Sequence, residues 1–158
     1  MPERPERVYA DTSVYGGVFD EEFATPSRAF FGQVRAGRFR LVLSAVVRGE
    51  LVPAPTQVQE FYRKVLATAE VVEVTEQAHR LQEAYVTAGI VSPKAWTDAL
   101  HVALATVARC PVIVSWNFRH IVHYDKIALY NQVNDSNGYA RLAICSPHEV
   151  IDYDDQDV

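Results

Sequence analysis

The chain alternates between two patterns of apolar residues. In one, they form short runs or occupy every second position, which is typical of strands; in the other, they recur every three or four positions, which is typical of helices. The first pattern predicts five strands, at residues 7–10, 39–43, 71–74, 112–115 and 142–145. Because helical segments separate these strands, the sequence predicts an α/β domain with a mostly parallel central sheet.

Capping residues mark where the predicted helices begin. A helix often starts just after Ser, Thr, Asp or Asn, with Pro in its first turn, and often stops at Gly. The predicted helices start at Thr25, Ser44, Thr56, Thr75, Ser92, Asp125 and Ser146. The segment after the first strand has adjacent glycines and an acidic run, so we predict a loop there. Residues 1–151 are expected to form one domain, and residues 152–158 an acidic tail that frays.

Composition narrows the class of protein. The chain has 158 residues, of which 49% are hydrophobic and 22% charged, as in a single globular domain and unlike disordered or fibrous chains. Its formal net charge is −5, so no overall basic field attracts nucleic acid. A polyanion would therefore need a local basic patch or a bound metal ion.

Cysteine content and hydropathy indicate a compartment. Two cysteines, Cys110 and Cys145, do not make a disulfide framework and fit a reducing compartment. No run approaches 18 apolar residues, and the first seven residues lack the apolar core of a signal peptide. We therefore expect a cytoplasmic protein with no membrane association.

Three acidic residues stand in apolar surroundings. Asp11 directly follows the first strand, Glu50 lies in the helix after the second strand, and Asp98 opens the most apolar helix. A carboxylate in such surroundings is costly unless it is paired or binds a metal ion. In parallel α/β sheets, sites form at the carboxyl ends of the strands, which Asp11 and Glu50 can both reach.

Matched lengths add Asp98 and Asn117 to this edge. The helix from Asp98 to Arg109 rises about 16 Å, at roughly 1.5 Å per residue. The strand that returns over residues 111–116 covers about the same distance, at roughly 3.3 Å per residue. Asn117 is therefore expected beside Asp98, although spacing alone also allows separate helix caps and surface ion pairs.

Four short motifs, in order, resemble the PIN-domain family, which includes the ribonuclease toxins of VapBC-type toxin–antitoxin pairs. They are Asp11-Thr12-Ser13 after the first strand, Ser44 to Leu51, Thr97-Asp98-Ala99-Leu100-His101-Val102-Ala103, and Ile113 to Phe118. The resemblance covers residues 8–150. It implies a single three-layer α/β/α domain.

The resemblance also implies an activity, a metal-dependent endoribonuclease. Asp11, Glu50 and Asp98 match the acidic positions that bind Mg²⁺ or Mn²⁺ in the family. Asn117 stands where many relatives carry Asp, so it adds an amide oxygen but no charge to this catalytic set. Such an ion polarises the scissile phosphate and lowers the pKa of an attacking water.

Neighbouring residues are candidates for contacting substrate or the metal site. Thr12 and Ser13 can hydrogen-bond a carboxylate or a phosphate, or can simply cap the turn after the first strand. Arg119 and His120 can contact RNA phosphate, and His101 can hydrogen-bond Asp98 three residues earlier. A reserve of basic residues lies at Arg35, Arg38, Arg40, Arg48, Arg63 and Lys64.

The implied partners are an RNA substrate, a small basic antitoxin protein and a second copy of the chain. A basic partner can place an Arg near the carboxylates, since Arg pairs with them bidentately.

Three other interpretations stay open. One is a catalytically weak PIN-fold module that binds RNA or protein. Another is a phosphatase of the haloacid dehalogenase type, although Asp11-Thr12-Ser13 lacks the second acidic residue of an Asp-x-Asp motif. A third is a zinc site at His120, His123 and Asp125, for which further ligands at zinc-site spacing are missing.

Overall fold

Five parallel strands form the centre of the molecule. A computed structural model describes residues 5–153. The strands are β1 (Glu6–Ala10), β2 (Phe39–Ser44), β3 (Glu70–Val72), β4 (Val112–Val114) and β5 (Ala143–Cys145). Their order in the sheet is β3-β2-β1-β4-β5, and every neighbouring pair is parallel. The predicted α/β class and parallel sheet are confirmed.

Helices cover both faces of this sheet. They are α1 (Thr12–Gly17), α2 (Ala24–Arg35), α3 (Ala45–Leu51), α4 (Thr56–Leu66), α5 (Glu76–Thr87), α6 (Trp96–Val107), α7 (Tyr124–Ser136) and α8 (Pro147–Val150), with a 3₁₀ turn at Pro93–Ala95. Side chains alternate along each strand, so Tyr9 and Val42 join a core with α5, α6 and α7. Val8 and Leu41 join a second core with α1 to α4 and α8. The result is three layers, α/β/α.

The first helix, α1, lies where a loop was predicted. The side chain of Asp11 caps it by accepting from the backbone N–H of Ser13, and its Val14 and Tyr15 are fully buried. Capping and burial outweigh the weak helix propensity of the two glycines. Gly17 has a packing reason: a Cβ atom there would lie 2.6 Å from Ser27 Oγ and 2.8 Å from Trp116 Nε1.

Other boundaries differ from the sequence prediction. Helix α7 begins at Tyr124, two residues before the start that a cap at Asp125 predicts, and it runs to Ser136 with Asn131 and Asn134 buried. Asn131 bonds both backbone groups of Leu142, at 2.7 and 3.0 Å, and so ties α7 to the start of β5. Helix α2 begins at Ala24 rather than after Thr25, and β3 covers residues 70–72 rather than 71–74.

The described chain ends on α2. Gln33 donates to the backbone oxygen of Asp152 at 2.8 Å and accepts from its N–H at 2.9 Å. The rest of the predicted acidic tail, residues 154–158, lies outside the described residues, as do residues 1–4. Over residues 5–153, none of the helices has the length and apolar character needed to cross a membrane.

Candidate functional site

Polar residues end three neighbouring strands at one edge of the sheet. Asp11 follows β1, Ser44 is the last residue of β2, and Ser115 follows β4. Asp11 N–H still bonds Val114 O at 3.2 Å, so the backbone pairing of β1 and β4 continues to this point. The parallel arrangement therefore places all three residues at the carboxyl edge, where α/β folds build their sites.

Asp11 is a buried carboxylate that several donors hold in place. Asp11 is only 4% exposed to solvent. Oδ1 accepts from Ser13 N at 3.1 Å and from Ser13 Oγ at 2.6 Å, and Oδ2 accepts from Ser115 Oγ at 2.7 Å. The two serine oxygens in turn accept from the backbone N–H groups of Trp116, at 2.8 Å, and Asn117, at 2.9 Å. These backbone donors direct both hydroxyl hydrogens towards Asp11.

Burial dominates the acidity of Asp11. Desolvation raises its pKa above the usual value, and the nearby charge of Glu50 raises it further. The charge of His101 and the hydrogen bonds from Ser13 and Ser115 oppose this shift without cancelling it. A carboxyl whose charged form is disfavoured in this way gains from a cation placed next to it.

Glu50 lies beside Asp11 in a different environment. Its side chain is 38% exposed, and its Oε1 accepts from Thr12 Oγ1 at 2.7 Å and from His101 Nε2 at 2.5 Å. Burial raises the pKa of Glu50, but the hydrogen bond and charge of His101 and the bond from Thr12 outweigh it, so the net shift is downward. The structure thus places Asp11 and Glu50 at one edge, with Thr12 bridging the two positions.

A buried chain of hydrogen bonds runs behind Glu50. His101, on α6, is 1% exposed, and its Nδ1 lies 2.8 Å from the hydroxyl of Tyr9. That hydroxyl lies 2.8 Å from Ser44 Oγ. His101 therefore bonds Glu50 and Tyr9, whereas the sequence suggested a bond to Asp98.

Asp98 and Asn117 take less direct positions. Asp98 is half-buried in the first turn of α6. Burial raises the pKa of Tyr130, and the charges of Tyr85 and Asp98 raise it further. Within residues 5–153, no three Asp, Glu, His or Cys side chains form a group that could hold a metal ion. The Oδ1 atom of Asn117 accepts from the N–H of His120 at 2.9 Å.

The candidate substrate residues divide into two kinds. The hydroxyls of Thr12 and Ser13 are engaged by Glu50 and Asp11, so their contacts in the structure are with carboxylates. Arg119 is exposed, and His120 is half-buried with its backbone oxygen accepting from Tyr130 at 2.8 Å. Both follow Asn117 in the turn after β4.

An aromatic surface adjoins the carboxylates. Trp116 is buried, donates from Nε1 to Ser27 Oγ at 2.8 Å, and stacks on Phe23 with ring centroids 4.2 Å apart. Phe118 packs against both rings and is 48% exposed. Trp116 is therefore a packing residue, and the accessible ring of this cluster is that of Phe118.

The donor chemistry suits a hard divalent cation. Mg²⁺ is usually held by one or two carboxylates together with waters and substrate phosphate, so Asp11 and Glu50 suffice as protein ligands. Over residues 5–153, neither carboxylate has an Arg or Lys within ion-pair distance. Among the described residues, the ion-pair contact of these two carboxylates is that of His101 with Glu50.

Sequence comparison and structural comparison gave different results. No family model matches the chain, and a search of curated proteins found no match. Solved structures do match. VapBC2 from Rickettsia felis, bound to a DNA fragment from the promoter, aligns with TM-score 0.57 and 12% identity over 89% of this chain and 98% of that one.

Two further structures give the same result. DNA-bound VapBC from Salmonella typhimurium aligns with TM-score 0.57 and 16% identity, over 90% of this chain and 98% of that one. A toxin–antitoxin complex from Klebsiella pneumoniae aligns with TM-score 0.54 and 14% identity, over 72% and 88% of the two chains. At such identities, the likeness establishes the fold.

Proposed function

Starting from a PIN/VapC-like fold, we propose that the protein is a divalent-metal-dependent endoribonuclease and the toxin of a toxin–antitoxin pair. One observation carries the proposal: Asp11 and Glu50 lie together at the carboxyl edge of the sheet, and over residues 5–153 neither has an Arg or Lys partner. Two adjacent carboxylates that lack a guanidinium or ammonium partner are suited to a metal cation.

The residues divide the work as follows. Asp11 and Glu50 would hold Mg²⁺ or Mn²⁺, which would supply Lewis-acid chemistry for the scissile phosphate and the attacking water. Ser13 and Ser115 keep the Asp11 carboxylate in one orientation. Asp98 and Asn117 complete the proposed catalytic set, through water or substrate.

Single-stranded RNA is the proposed substrate. The exposed ring of Phe118 offers a base a stacking surface beside the carboxylates, and the adjacent Arg119 can bind phosphate. His120 follows in the same turn and is a second candidate for phosphate contact.

The proposed partner is a small basic antitoxin, because the similar structures are toxin–antitoxin complexes and the chain has a net charge of −5. We further propose that the protein acts in the cytoplasm as a homodimer.

A second candidate is a PIN-fold binding module with little catalysis. The neutral Asn117 favours it, as does the absence, within residues 5–153, of a group of three acidic, histidine or cysteine side chains that could hold a metal ion. Cleavage distinguishes the two candidates.

The test is cleavage of a pool of single-stranded RNA by the chain without its partner, with Mn²⁺, Mg²⁺ or a chelator. We expect cleavage that requires the ion and is lost in Glu50→Gln. Glu60→Gln is the matched control, because Glu60 is exposed on α4 and its side chain makes none of the hydrogen bonds found over residues 5–153. Absence of chelator-sensitive cleavage in the wild type would establish the binding module instead.

A further inference from the structure

We propose that His101, held by Tyr9 and Ser44, is a positioning residue that fixes Glu50 Oε1 and leaves Oε2 to face the metal ion. This inference rests on the proposed function and concerns residues outside its proposed ligand set. His101 lies in the middle of α6, where burying an imidazole costs more free energy than burying an apolar side chain.

The contacts of His101 extend from one side of the ring to the other. Nε2 lies 2.5 Å from Glu50 Oε1, and Nδ1 lies 2.8 Å from the hydroxyl of Tyr9. Both ring nitrogens are therefore occupied, and the ring cannot rotate without losing two hydrogen bonds. His101 and Tyr9 are 1% and 0% exposed, so water cannot readily replace either contact.

Ser44 anchors the other end of this chain. It occupies the N-cap position of α3, as predicted, but its side chain makes no capping hydrogen bond. Its hydroxyl instead lies 2.8 Å from the hydroxyl of Tyr9. The Ser44 side chain therefore does not cap the helix, as a serine at this position usually does. Its hydrogen bond instead fixes the hydroxyl of Tyr9, which contacts His101.

The arrangement restrains one oxygen of Glu50. Oε1 receives hydrogen bonds from His101 and Thr12, whereas Oε2 makes none of the hydrogen bonds found over residues 5–153. Since Glu50 is otherwise exposed, its side chain would sample several rotamers without these two bonds. The buried chain therefore supplies the orientation that Asp11 obtains from Ser13 and Ser115.

Tyr9→Phe and His101→Leu test the proposal, with Tyr85→Phe as the matched control. The hydroxyl of Tyr85 is also buried between two polar side chains, Thr106 and Asn134, but these hydrogen bonds include neither His101 nor Glu50. Each of the three variants loses two hydrogen bonds, so their Tm values should fall. Mn²⁺ affinity, measured by electron paramagnetic resonance without RNA, should fall about 10-fold in Tyr9→Phe and His101→Leu and stay unchanged in Tyr85→Phe.

Kinetics and a rescue variant complete the test. We expect kcat for RNA to fall in the two variants while KM stays the same. His101→Gln, whose amide can still donate to Glu50, should recover most of the Mn²⁺ affinity that His101→Leu loses. Where His101→Leu fails to fold, Tyr9→Phe alone decides.

The possible failures are distinguishable. If wild type binds Mn²⁺ and Glu50→Gln does not, while Tyr9→Phe and His101→Leu bind like wild type, the positioning role is overturned and the proposed function survives. If wild type binds no Mn²⁺, both are overturned.

Discussion

Carboxylates at the two ends of the sheet have different surroundings. At the amino end, Glu70 on β3 pairs with Arg7 on β1 and, at 3.3 Å, with Arg40 on β2. At the carboxyl end, hydroxyls, one backbone N–H and a histidine surround Asp11 and Glu50. The first arrangement pairs its carboxylate with guanidinium groups, whereas over residues 5–153 the second has no Arg or Lys within ion-pair distance.

The acidities follow the same division. The hydrogen bond from Arg7 is the largest influence on Glu70, and it lowers the pKa of that carboxyl. Burial is the largest influence on Asp11, and it raises the pKa. Glu70 is therefore a structural group that stabilises three strands. Asp11 is a buried carboxyl that no Arg or Lys of residues 5–153 pairs with, and such perturbed groups are common at functional sites.

The largest expected effect comes from Asp11→Asn. If the carboxyl edge binds a cation, Mn²⁺ at 100 times its Kd stabilises the wild type by about 2.7 kcal/mol through linkage. Asp11→Asn should abolish this rise in Tm and the RNA cleavage with it. Glu70→Gln is the control and should keep the full Mn²⁺ response. Equal responses of Asp11→Asn and wild type would remove the distinction between the two ends.

Asn117 should have the next largest effect. Asn117→Ala removes the side chain that caps the turn at His120, and we expect cleavage to fall about 10-fold with the fold retained. Asn117→Asp should strengthen Mn²⁺ binding, because it adds a negative charge to the carboxyl end. Affinity and cleavage rates measure both effects, and unchanged cleavage in Asn117→Ala would remove Asn117 from the catalytic set.

Without metal, the two ends should respond to pH with opposite signs. The raised pKa of Asp11 means that its proton binds more tightly in the folded protein, so its contribution to stability is present at low pH and is lost as pH rises through the folded pKa. Asp11→Asn should therefore raise Tm at neutral pH in the presence of a chelator. A lower Tm for this variant would contradict the burial argument.

Glu70 should give the smallest effect. Its lowered pKa contributes stability above the unfolded pKa, which is lost as pH falls through the folded pKa. Since the pair is partly exposed, Glu70→Gln should cost about 1 kcal/mol or less at neutral pH, and nothing in strong acid. Thermal melts across pH measure the difference, and a loss that is independent of pH would rule out the charge as its cause.

The sequence predicted the parts of the molecule that follow from strand order. The position of Asp11 at a strand end followed from the apolar residues before it. The position of Glu50 near the same edge followed from the tilt of helical side chains towards the helix N-terminus. The neighbours of Asp98 depend on how α6 is rotated against α7, which apolar spacing does not specify. The role of Tyr9 was missed because a tyrosine in a strand is usually a packing residue.

Helix α1 illustrates another limit. A pair of glycines predicts a loop, and the reason for the second glycine is the approach of Ser27 and Trp116, which are distant in sequence. Likewise, sequence spacing offered Asp98, three residues earlier on the same helix, as a hydrogen-bond partner of His101. Its observed contact with Glu50 joins two different helices, which spacing along one helix does not reveal.

Gly17 has a consequence for which sequence changes the protein can tolerate. Gly16 has open space where a Cβ would stand, whereas Gly17 meets the indole of Trp116. The backbone N–H of Trp116 donates to Ser13 Oγ, and the Ser13 hydroxyl donates to the carboxylate of Asp11. Gly17→Ala would therefore shift Trp116 and, through Ser13, the carboxylate of Asp11. Gly16→Ala would leave the carboxylate in place. Natural variation and random mutagenesis should both record this asymmetry, with alanine accepted at position 16 and rejected at position 17.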